Sequence, residues 1–359
     1  MKLLICGDVV ATDISKELFA NADEKAAFNN VLECFKAADR VIVNLECAVT
    51  DCDTRIMKVG PCLKAPVNTV ETLKKAGVTD ICLSNNHVFD FGKKGLSDTL
   101  TTIEKAGLHY TGVGENYEDS RKDHIITDGK IKIAIVNVCE HEYSYATEER
   151  CGTRPFDEFE TMHDIRRAKA ENDYVIVIYH GGKEICRYPS PRLRRACREM
   201  VRCGADAVFC QHSHIIGCFE EFEGGHILYG QGNFHFVWDH MGESWKEGLM
   251  ASLNIDSAGL KVSYIPVVVD GAGIKLADEK AAEQILSSMQ DRNKELLNGD
   301  WIKGWRAFCE SKREWYTGVR LGEMVEKPGD ATQMFAHYLD CEAHRDVWME
   351  LFPTWNRTN

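Results

Sequence analysis

The first 210 residues of the chain alternate between short apolar runs and longer segments in which apolar residues recur at helical spacing. The strand-like runs cover residues 3–6, 40–45, 80–83, 122–127, 130–138, 174–179 and 207–210. The helix-like segments cover residues 26–38, 67–76, 95–106, 156–170 and 192–202. Short runs of β-branched residues are typical of buried strands, and Asp128-Gly129 between two of the runs predicts a hairpin turn. The alternation predicts an α/β fold, with strands inside and helices outside.

The pattern changes after about residue 210. Four further strand-like runs, at residues 226–229, 233–237, 249–255 and 260–269, look antiparallel and predict a further sheet packed against the first. From about Leu276 the pattern is helical and rich in tryptophan, with Trp301, Trp305, Trp315, Trp348 and Trp355. We therefore predict one domain over residues 1–272 and a helical C-terminal appendage over residues 273–359, packed on that domain.

The composition argues against several classes of protein. The chain has 359 residues, of which 44% are hydrophobic and 28% are charged, which is ordinary for a globular protein. Its 43 basic and 56 acidic residues give a formal net charge of −13. An acidic chain is a poor candidate for binding nucleic acid. An anionic substrate would need a local source of positive charge, such as a metal ion.

The cysteines and the N-terminal segment predict a cytoplasmic protein. The fifteen cysteines are scattered and form no Cys-x-x-Cys pair, which favours reduced thiols over a disulfide framework. The apolar start is cut off at Gly7-Asp8, too early for a signal peptide. No run approaches the roughly 20 apolar residues of a membrane helix. We expect no membrane segment, and the sequence leaves the oligomeric state open.

Polar side chains that can bind metals through oxygen or nitrogen lie at the ends of five of the predicted strands. They are Asp8, Asn44 with Glu46, Asn86 with His87, His180, and His212 with His214. Ligands of open α/β sheets bind beyond the carboxyl ends of the strands, so we expect these side chains to converge. Carboxylate, amide and imidazole donors suit divalent metals such as Mn, Fe or Zn. Two such metals about 3.5–4 Å apart can clamp a phosphate and activate water.

Six motifs that include these residues occur in order along the first 270 residues. They are Gly7-Asp8, Asn44-Leu45-Glu46, Asn85-Asn86-His87, His180-Gly181-Gly182, His212-Ser213-His214 and Gly232-Asn233-Phe234. Each motif is weak by itself, but the ordered set resembles the bacterial CapA, or poly-γ-glutamate capsule-synthesis, family. That family is a branch of the calcineurin-like metallophosphoesterases. The resemblance implies a four-layer fold, in which two mixed β-sheets form a sandwich with helices outside.

The resemblance also implies a role for each metal-binding residue. Asp8 and His214 would bind a first metal, and Glu46 stands where the superfamily has a bridging aspartate. Asn86, His180 and His212 would bind a second metal. The implied cofactors are one or two divalent ions, with Mn, Fe and Zn as the candidates. Typical members carry Asp-x-His at the first strand, whereas valines follow Asp8, so the first site lacks one histidine.

His87 and Asp90 are the predicted catalytic residues. The resemblance implies that His87 helps the leaving group depart, as general acid or hydrogen-bond donor, while a metal-held hydroxide attacks. Asp90 either orients the ring of His87 or caps the helix that starts near Gly92. Asn85 either caps a helix entry or supports Asn86 as a ligand.

Asn85, Arg187 and Tyr188 are the predicted substrate-binding residues. Arg187 follows His180 in a basic stretch that suits phosphate or carboxylate groups, although the stretch can equally be a solvated helix start at Pro191. In the tail, His344 can also reach toward the site. The predicted function is that of a metal-dependent hydrolase of a phosphate ester or anhydride, with an anionic small-molecule or polymer substrate. The alternative is a non-hydrolytic or γ-glutamyl-polymer-related role in capsule synthesis.

Overall fold

The computed structural model describes residues 1–256, 259–318 and 330–353 of the chain. Trp355, one of the tail tryptophans, lies outside the described residues. The strands are β1 Lys2–Val10, β2 Arg40–Leu45, β3 Ala48–Val49, β4 Lys64–Ala65, β5 Asp80–Cys82, β6 His109–Thr111, β7 Val113–Gly114, β8 His124–Asp128, β9 Ile131–Cys139, β10 Gly152–Thr153, β11 Tyr174–His180, β12 Ala207–Gln211, β13 Phe219–Phe222, β14 Gly225–Leu228, β15 Asn233–Phe236, β16 Glu247–Asp256, β17 Gly259–Asp270 and β18 Gly273–Leu276.

The helices lie between and after these strands. They are α1 Lys16–Ala20, α2 Glu24–Phe28, α3 Val31–Lys36, α4 Thr69–Ala76, α5 Gly92–Ala106, α6 Tyr117–Ser120, α7 Glu160–Glu171, α8 Pro191–Arg202, α9 Glu279–Asn298, α10 Trp301–Ser311, α11 Arg313–Thr317, α12 Asp330–Asp340 and α13 Glu342–Leu351. The predicted helix over residues 26–38 is broken into α2 and α3 at Asn29, whose φ of 43° interrupts the helical backbone.

Two large mixed sheets form the centre of the fold. The first has the order β18-β17-β16-β1-β2-β5-β6, and β15 also pairs with β1. In this sheet β1, β2, β5, β6 and β15 are parallel, and β16 to β18 are antiparallel. The second sheet has the order β13-β14-β12-β11-β9-β8, with parallel strands at its centre and an antiparallel strand at each edge.

The side chains of the central strands divide the core into layers. In β1, Ile5 faces the core between the two sheets, whereas Leu4 faces the helices that cover the first sheet. In β11, Ile178 faces the same core between the sheets, whereas Val177 packs on the outer side with α7, α8 and the C-terminal helices. The order helices, sheet, sheet, helices confirms the predicted four-layer α/β sandwich.

The predicted antiparallel block over residues 226–269 is only half right. β16 and β17 are antiparallel, but β14 joins the second sheet parallel to β12, and β15 lies parallel to β1. Every residue of β14 and β15 is buried, which is typical of parallel strands covered on both faces. The predicted hairpin is confirmed, since β8 and β9 pair across Gly129, which has a φ of 58°.

The C-terminal helices cover the outer face of the second sheet. Leu296, Trp305 and Val347 share one core cluster with Val177. The predicted boundary at residue 272 falls inside the first sheet, because β18 pairs with β17 and the helices begin only at Glu279. Across the described ranges, no helix combines the length and the apolar character needed to span a membrane.

Candidate metal centre

The predicted ligand residues converge at one edge of the sandwich, where the carboxyl ends of parallel strands from both sheets meet. Glu46 follows β2, His180 ends β11, and His212 follows β12. Asp8 lies inside β1 rather than at its end, because β1 continues to Val10 after a shift in its register with β2. The fold therefore brings together side chains that are up to 206 positions apart, from Asp8 to His214.

The glycine of the Gly7-Asp8 motif allows β1 to approach a turn of the chain closely. A Cβ atom at Gly7 would lie 2.4 Å from the carbonyl oxygen of Gly232, so a larger residue would push the two segments apart. This approach pairs Asp8 with Asn233 in the sheet. It also holds Oδ1 of Asn233 3.0 Å from Nδ1 of His214.

Glu46 lies at the centre of the cluster and is fully buried. Its Oε1 is 3.3 Å from Nε2 of His180 and 4.0 Å from Nε2 of His214. Neither carboxylate oxygen accepts a hydrogen bond from a described residue, and Nδ1 of His212 is likewise buried without a partner. A buried carboxylate is costly unless a cation or a donor compensates it.

Asp8 and Asn44 connect the ligands on the two sheets. Nδ2 of Asn44 donates to Oδ1 of Asp8 at 2.7 Å and lies 3.1 Å from Nδ1 of His180. The other oxygen of Asp8 accepts the backbone N–H of His212 at 3.2 Å and lies 3.5 Å from Nδ1 of His214. Asn44 and Asp8 thus fix the ring nitrogens that face away from Glu46.

The protonation states in this cluster follow from burial and from neighbouring charges. Burial lowers the pKa of His180 and of His212 to about 4, so both rings are neutral, the form that binds metals. Burial opposes ionisation of Asp8, but the His214 hydrogen bond and nearby imidazoles lower its pKa to about 2. Burial and the Asp8 carboxylate raise the pKa of Glu46 well above its usual value.

His214 differs from His180 and His212 because its pKa is raised. Burial lowers its pKa, but the carboxylates of Glu46 and Asp8 outweigh that effect and raise the pKa to about 10. Both His212 and His214 have left-handed backbone conformations, with φ of 78° and 59°. Such conformations are disfavoured for residues with a side chain and cluster at functional sites.

The spacing of the donor atoms fits a metal ion. Two atoms bound about 2.0–2.1 Å from a tetrahedral metal lie roughly 3.3–3.4 Å apart, and Oε1 of Glu46 lies 3.3 Å from Nε2 of His180. Two overlapping groups share Glu46, one with Asp8 and His180, the other with His212 and His214. This grouping differs from the division implied by the resemblance, which assigned Asp8 and His214 to one metal.

Asn86 joins this cluster, and Asn85 holds the loop that carries it. Oδ1 of Asn86 lies 3.0 Å from Nε2 of His180. The side chain of Asn85 accepts the backbone N–H groups of His87 and Val88 and donates to Asn44 and to a backbone carbonyl. Both ends of the Asn85 side chain are thus engaged within the protein, and the residue is fully buried.

His87 and Asp90 form a buried pair beside Asn86. Oδ2 of Asp90 lies 2.6 Å from Nδ1 of His87, and the N-terminal cap of α5 is Phe91, so Asp90 orients the ring rather than capping the helix. Nζ of Lys58 lies 2.7 Å from Oδ1 of Asp90 and 3.3 Å from Nδ1 of His87. Burial and the Lys58 charge lower the pKa of His87.

The structure does not bring Arg187 and Tyr188 into the cluster. Arg187 donates to the carbonyl of Ile216 and lines a separate cavity together with Arg292. The hydroxyl of Tyr188 bonds to Glu295 of α9. The stretch after them is a helix start, since Ser190 caps α8 by accepting the N–H of Leu193 at 3.0 Å.

Several polar residues at this edge were missed by sequence reasoning. Glu142 follows β9, and its Oε2 accepts Nδ2 of Asn86 at 3.0 Å and lies 3.5 Å from Nε2 of His212. Its position after a strand is the same signal that marked the other ligands. Lys58 lies between short elements, and His337 lies on a tail helix, so neither has such a signal.

The fold and these side chains define a four-layer α/β protein with a candidate metal centre where its two sheets meet. Residues 2–237 match the model of the bacterial capsule synthesis protein PGA_cap family. The match covers more than half of the 359 residues, and the chain belongs to this family. The resemblance inferred from the ordered motifs is thereby confirmed.

Two named relatives illustrate the family. The chain is 29% identical over 315 residues to the capsule biosynthesis protein CapA of Bacillus anthracis, covering 85% of this chain and 74% of that protein. It is 28% identical over 242 residues to the PGA biosynthesis protein CapA of Bacillus subtilis, covering 64% of this chain and 62% of that protein.

Solved structures with a similar arrangement are more distant in sequence. A putative 5'-nucleotidase from Staphylococcus aureus is 15% identical with a TM-score of 0.47, covering 81% of this chain and 58% of that one. A 5'-nucleotidase precursor from Thermus thermophilus is 12% identical with a TM-score of 0.46 and the same coverage. Because both TM-scores are below 0.5, the fold assignment rests on the strand order of this chain.

Proposed function

We propose that this protein is a metal-dependent hydrolase that acts on a phosphate ester or anhydride. The observation that carries the proposal is the carboxylate of Glu46, which is buried, accepts no hydrogen bond from the described residues, and is surrounded by Asp8, His180 and His214. An ionised carboxylate in this position needs a cation beside it, and because Nε2 of His214 lies 4.0 Å away, a bound metal would supply the closer positive charge. Oxygen and imidazole donors at this spacing favour a divalent first-row metal.

Six side chains would hold one or two ions. They are Asp8, Glu46, Asn86, His180, His212 and His214. When bound, divalent metals supply Lewis acidity toward a phosphoryl oxygen and activate water for attack. The protein's own contribution is to fix the ligands, and Asn44 and Asn233 do so through Asp8, His180 and His214. Partners of this kind are known to set ligand orientation and metal affinity.

His87, Asp90 and Lys58 would handle the leaving group. The Asp90 carboxylate accepts the Nδ1–H of His87 and stabilises the protonated ring. Lys58 binds the second oxygen of Asp90, so the carboxylate stays ionised and fixed. The pair thereby presents Nε2 of His87 for proton exchange with a departing oxygen.

A second candidate function is a role in capsule or poly-γ-glutamate synthesis without phosphoester hydrolysis. It is favoured by the family to which the chain belongs and by the printed names of its relatives, both of which refer to capsule or PGA biosynthesis. The same metal centre would then bind an anionic polymer or act on a γ-glutamyl bond. Fold and family do not decide between these chemistries.

The test is turnover by the purified full chain after loading with Mn²⁺, Fe²⁺ or Zn²⁺. The substrates are p-nitrophenyl phosphate, bis(p-nitrophenyl) phosphate, pyrophosphate and a nucleoside diphosphate. The variants are His180→Ala and His212→Ala, with His163→Ala as control, since His163 lies exposed on α7. We expect chelator-sensitive turnover that the first two variants lose by at least about 100-fold and that the control retains.

Two results would count against hydrolysis of phosphoesters. The first is full activity in His180→Ala or His212→Ala with an intact fold. The second is stoichiometric metal binding without turnover of any of these compounds. In the second case, binding and cleavage of poly-γ-glutamate by the metal-loaded chain become the measurements that test the alternative function.

A further inference from the structure

A second group of possible metal ligands lies beside the candidate metal centre. Glu142, His337 of α12 and His344 of α13 each offer one donor atom within 4.8 Å of the others. The two histidines are 8% and 4% exposed, and their ring centroids are 4.2 Å apart. Both helices lie beyond residue 237, where the match to the family model ends.

We propose that Glu142, His337 and His344 bind a further divalent cation of the borderline class, such as Zn²⁺. One carboxylate and two imidazoles form a donor set that suits such ions. Nε2 of His337 lies 3.5 Å from Oε1 of Glu142, close to the roughly 3.3–3.4 Å between two ligand atoms of a tetrahedral zinc.

The rings of both histidines are held by partners that leave a nitrogen for the ion. The hydroxyl of Tyr316 lies 2.7 Å from Nδ1 of His344, so Nε2 is the nitrogen available for the metal. The ring of His337 stacks on Tyr143, with 4.9 Å between centroids and 20° between planes. Histidine ligands commonly hydrogen-bond through their second ring nitrogen, as His344 does with Tyr316, and this bond fixes the ring and raises metal affinity.

A cationic side chain already contacts Nε2 of His344, the nitrogen that faces the proposed ion. Nζ of Lys183 is 3.5 Å from Nε2 of His344. We infer that the ammonium group stands near the position of the proposed ion and competes with it. The carboxylate of Glu142 in the same cluster would repel an anion, which favours a metal over a phosphate or carboxylate ligand.

Helix α13 is fixed at this edge of the sheet by polar contacts of its first turn. Oε2 of Glu140 accepts the backbone N–H of Ala343 at 3.1 Å. His141 binds both oxygens of Glu342, through its backbone N–H at 2.9 Å and its Nδ1 at 2.7 Å. These contacts place α13, and therefore His344, relative to Glu142, so the cluster is a built feature of the fold.

The proposed ion would lie next to the candidate metal centre, at the same edge of the sandwich. Glu142 faces His337 with Oε1, while its Oε2 accepts Nδ2 of Asn86 and approaches Nε2 of His212. A cation bound to Glu142 would add positive charge beside two predicted ligands. The inference does not depend on hydrolysis, because it concerns the number of bound ions.

The experiment counts metal ions in the full chain and follows Co²⁺ binding by its visible absorption. The double variant His337→Asn/His344→Asn is compared with the wild type and with the control His163→Asn. We expect the double variant to bind one equivalent fewer, and the control to bind as many as the wild type. Asp8→Asn should weaken metal binding at the candidate metal centre and leave the ion at Glu142, His337 and His344 in place. A failure of this proposal can therefore be told apart from a failure of the proposed function.

Two conservative variants keep the test valid if the double variant does not fold. Tyr316→Phe removes only the hydroxyl and should lower the affinity for the ion at Glu142, His337 and His344 by about 10–100-fold. Lys183→Gln removes the competing ammonium group and should raise the affinity for the same ion. An equal metal count in the wild type and a folded double variant overturns the proposal. So does a Lys183→Gln variant that loses binding of inorganic phosphate while its metal affinity is unchanged, since that result assigns the cluster to an anion.

Discussion

Oδ2 of Asp90 lies 2.6 Å from Nδ1 of His87, in a pair that is almost completely buried. The ionised carboxylate requires a donor, so Nδ1 carries the hydrogen and Nε2 is the ring nitrogen that can exchange a proton with substrate. Lys58 contacts both residues and fixes the pair from the other side. This geometry supports the proton-transfer role proposed for His87 and Asp90.

This arrangement predicts that the effect of His87→Asn depends on the leaving group. A p-nitrophenolate ion departs without a proton, so we expect a loss of less than about 10-fold with p-nitrophenyl phosphate. A poor leaving group such as an alkoxide needs the proton, and the loss should reach about 10²–10⁴-fold. The measurement is kcat/KM for a series of phosphate esters that differ in the pKa of the leaving alcohol.

Asp90→Asn should show the same trend with a smaller loss, since the ring remains but its orientation and charge support are weakened. Asp98→Asn serves as the control, since Asp98 is a half-buried residue of α5 that pairs with Lys94 and Thr50. Equal losses for all leaving groups in His87→Asn would show that His87 positions the substrate and does not transfer a proton.

The carboxylate of Glu46, which accepts no hydrogen bond from the described residues, predicts opposite effects of Glu46→Gln with and without metal. At 100 times its Kd, a bound metal should raise the free energy of unfolding of the wild type by about 2.7 kcal/mol. Glu46→Gln should lose most of this gain, because an amide is a weaker ligand. Without metal, the variant should be at least as stable as the wild type, since it removes a buried acid that no described residue hydrogen-bonds.

The measurement is the thermal midpoint in chelator and in added Mn²⁺ or Zn²⁺, with the exposed residue change Glu243→Gln as control. A metal-free Glu46→Gln protein that melts well below the metal-free wild type would mean that Glu46 stabilises the fold without any ion. Glu46 would then be a structural residue and not a ligand kept for a metal ion.

The convergence of the ligands could be predicted because it depends on strand ends. Glu46, His180 and His212 each follow or end a parallel strand, and Asp8 lies two residues before the end of β1. The carboxyl ends of such strands meet at one edge of the sheet. The core pattern of alternating residues in β1 and β11 likewise follows from the period of a strand. Both features depend on residues close together in the sequence, so the sequence pattern predicts them correctly.

Features that depend on distant partners could not be predicted. The pairing of β14 with β12, and of β15 with β1, is decided by which strands meet in the folded chain. His337 lies on a helix whose docking is set by contacts elsewhere on α12 and α13, so its spacing carries no information about the site. Arg187 was expected at the site because it follows His180, but the turn before α8 directs it to Ile216.

The contacts of Arg192 predict that the tail helices can be loosened without disturbing the first sheet. Arg192 binds Glu140, which follows β9, and Asp346 of α13, with 3.0 Å between Nε and Oδ2 of Asp346. Arg192→Leu leaves both carboxylates without their cation, and breaking a buried pair costs about 3–5 kcal/mol. We expect amide hydrogen exchange in α13 to accelerate by at least about 100-fold.

The control is Arg195→Leu on the same helix, whose side chain is exposed. Exchange in β1 and β2 should stay unchanged in Arg192→Leu, because these strands pack in other core clusters. Equal acceleration in β1 and α13 would show that the helices and the sheets unfold as one unit, contrary to this prediction.

Glu220 of β13 provides a pH-dependent prediction away from the metal centre. Burial opposes its ionisation, but hydrogen bonds from Arg198, Arg194 and Tyr229 outweigh that effect and lower its pKa to about 2. Because the folded pKa lies below the usual value of 4.5, the stabilisation is complete above about pH 4.5 and is lost as the pH falls toward 2.

Glu220→Gln should therefore cost about 3 kcal/mol at pH 7, and the difference from the wild type should shrink by about 1 kcal/mol between pH 6 and pH 3.5. Urea unfolding at several pH values measures this difference. The control Glu223→Gln, which removes an exposed pair with Arg202, should cost less than about 1 kcal/mol throughout. A difference between Glu220→Gln and the wild type that stays constant from pH 6 to 3.5 would show that the carboxylate is not held ionised by its arginines.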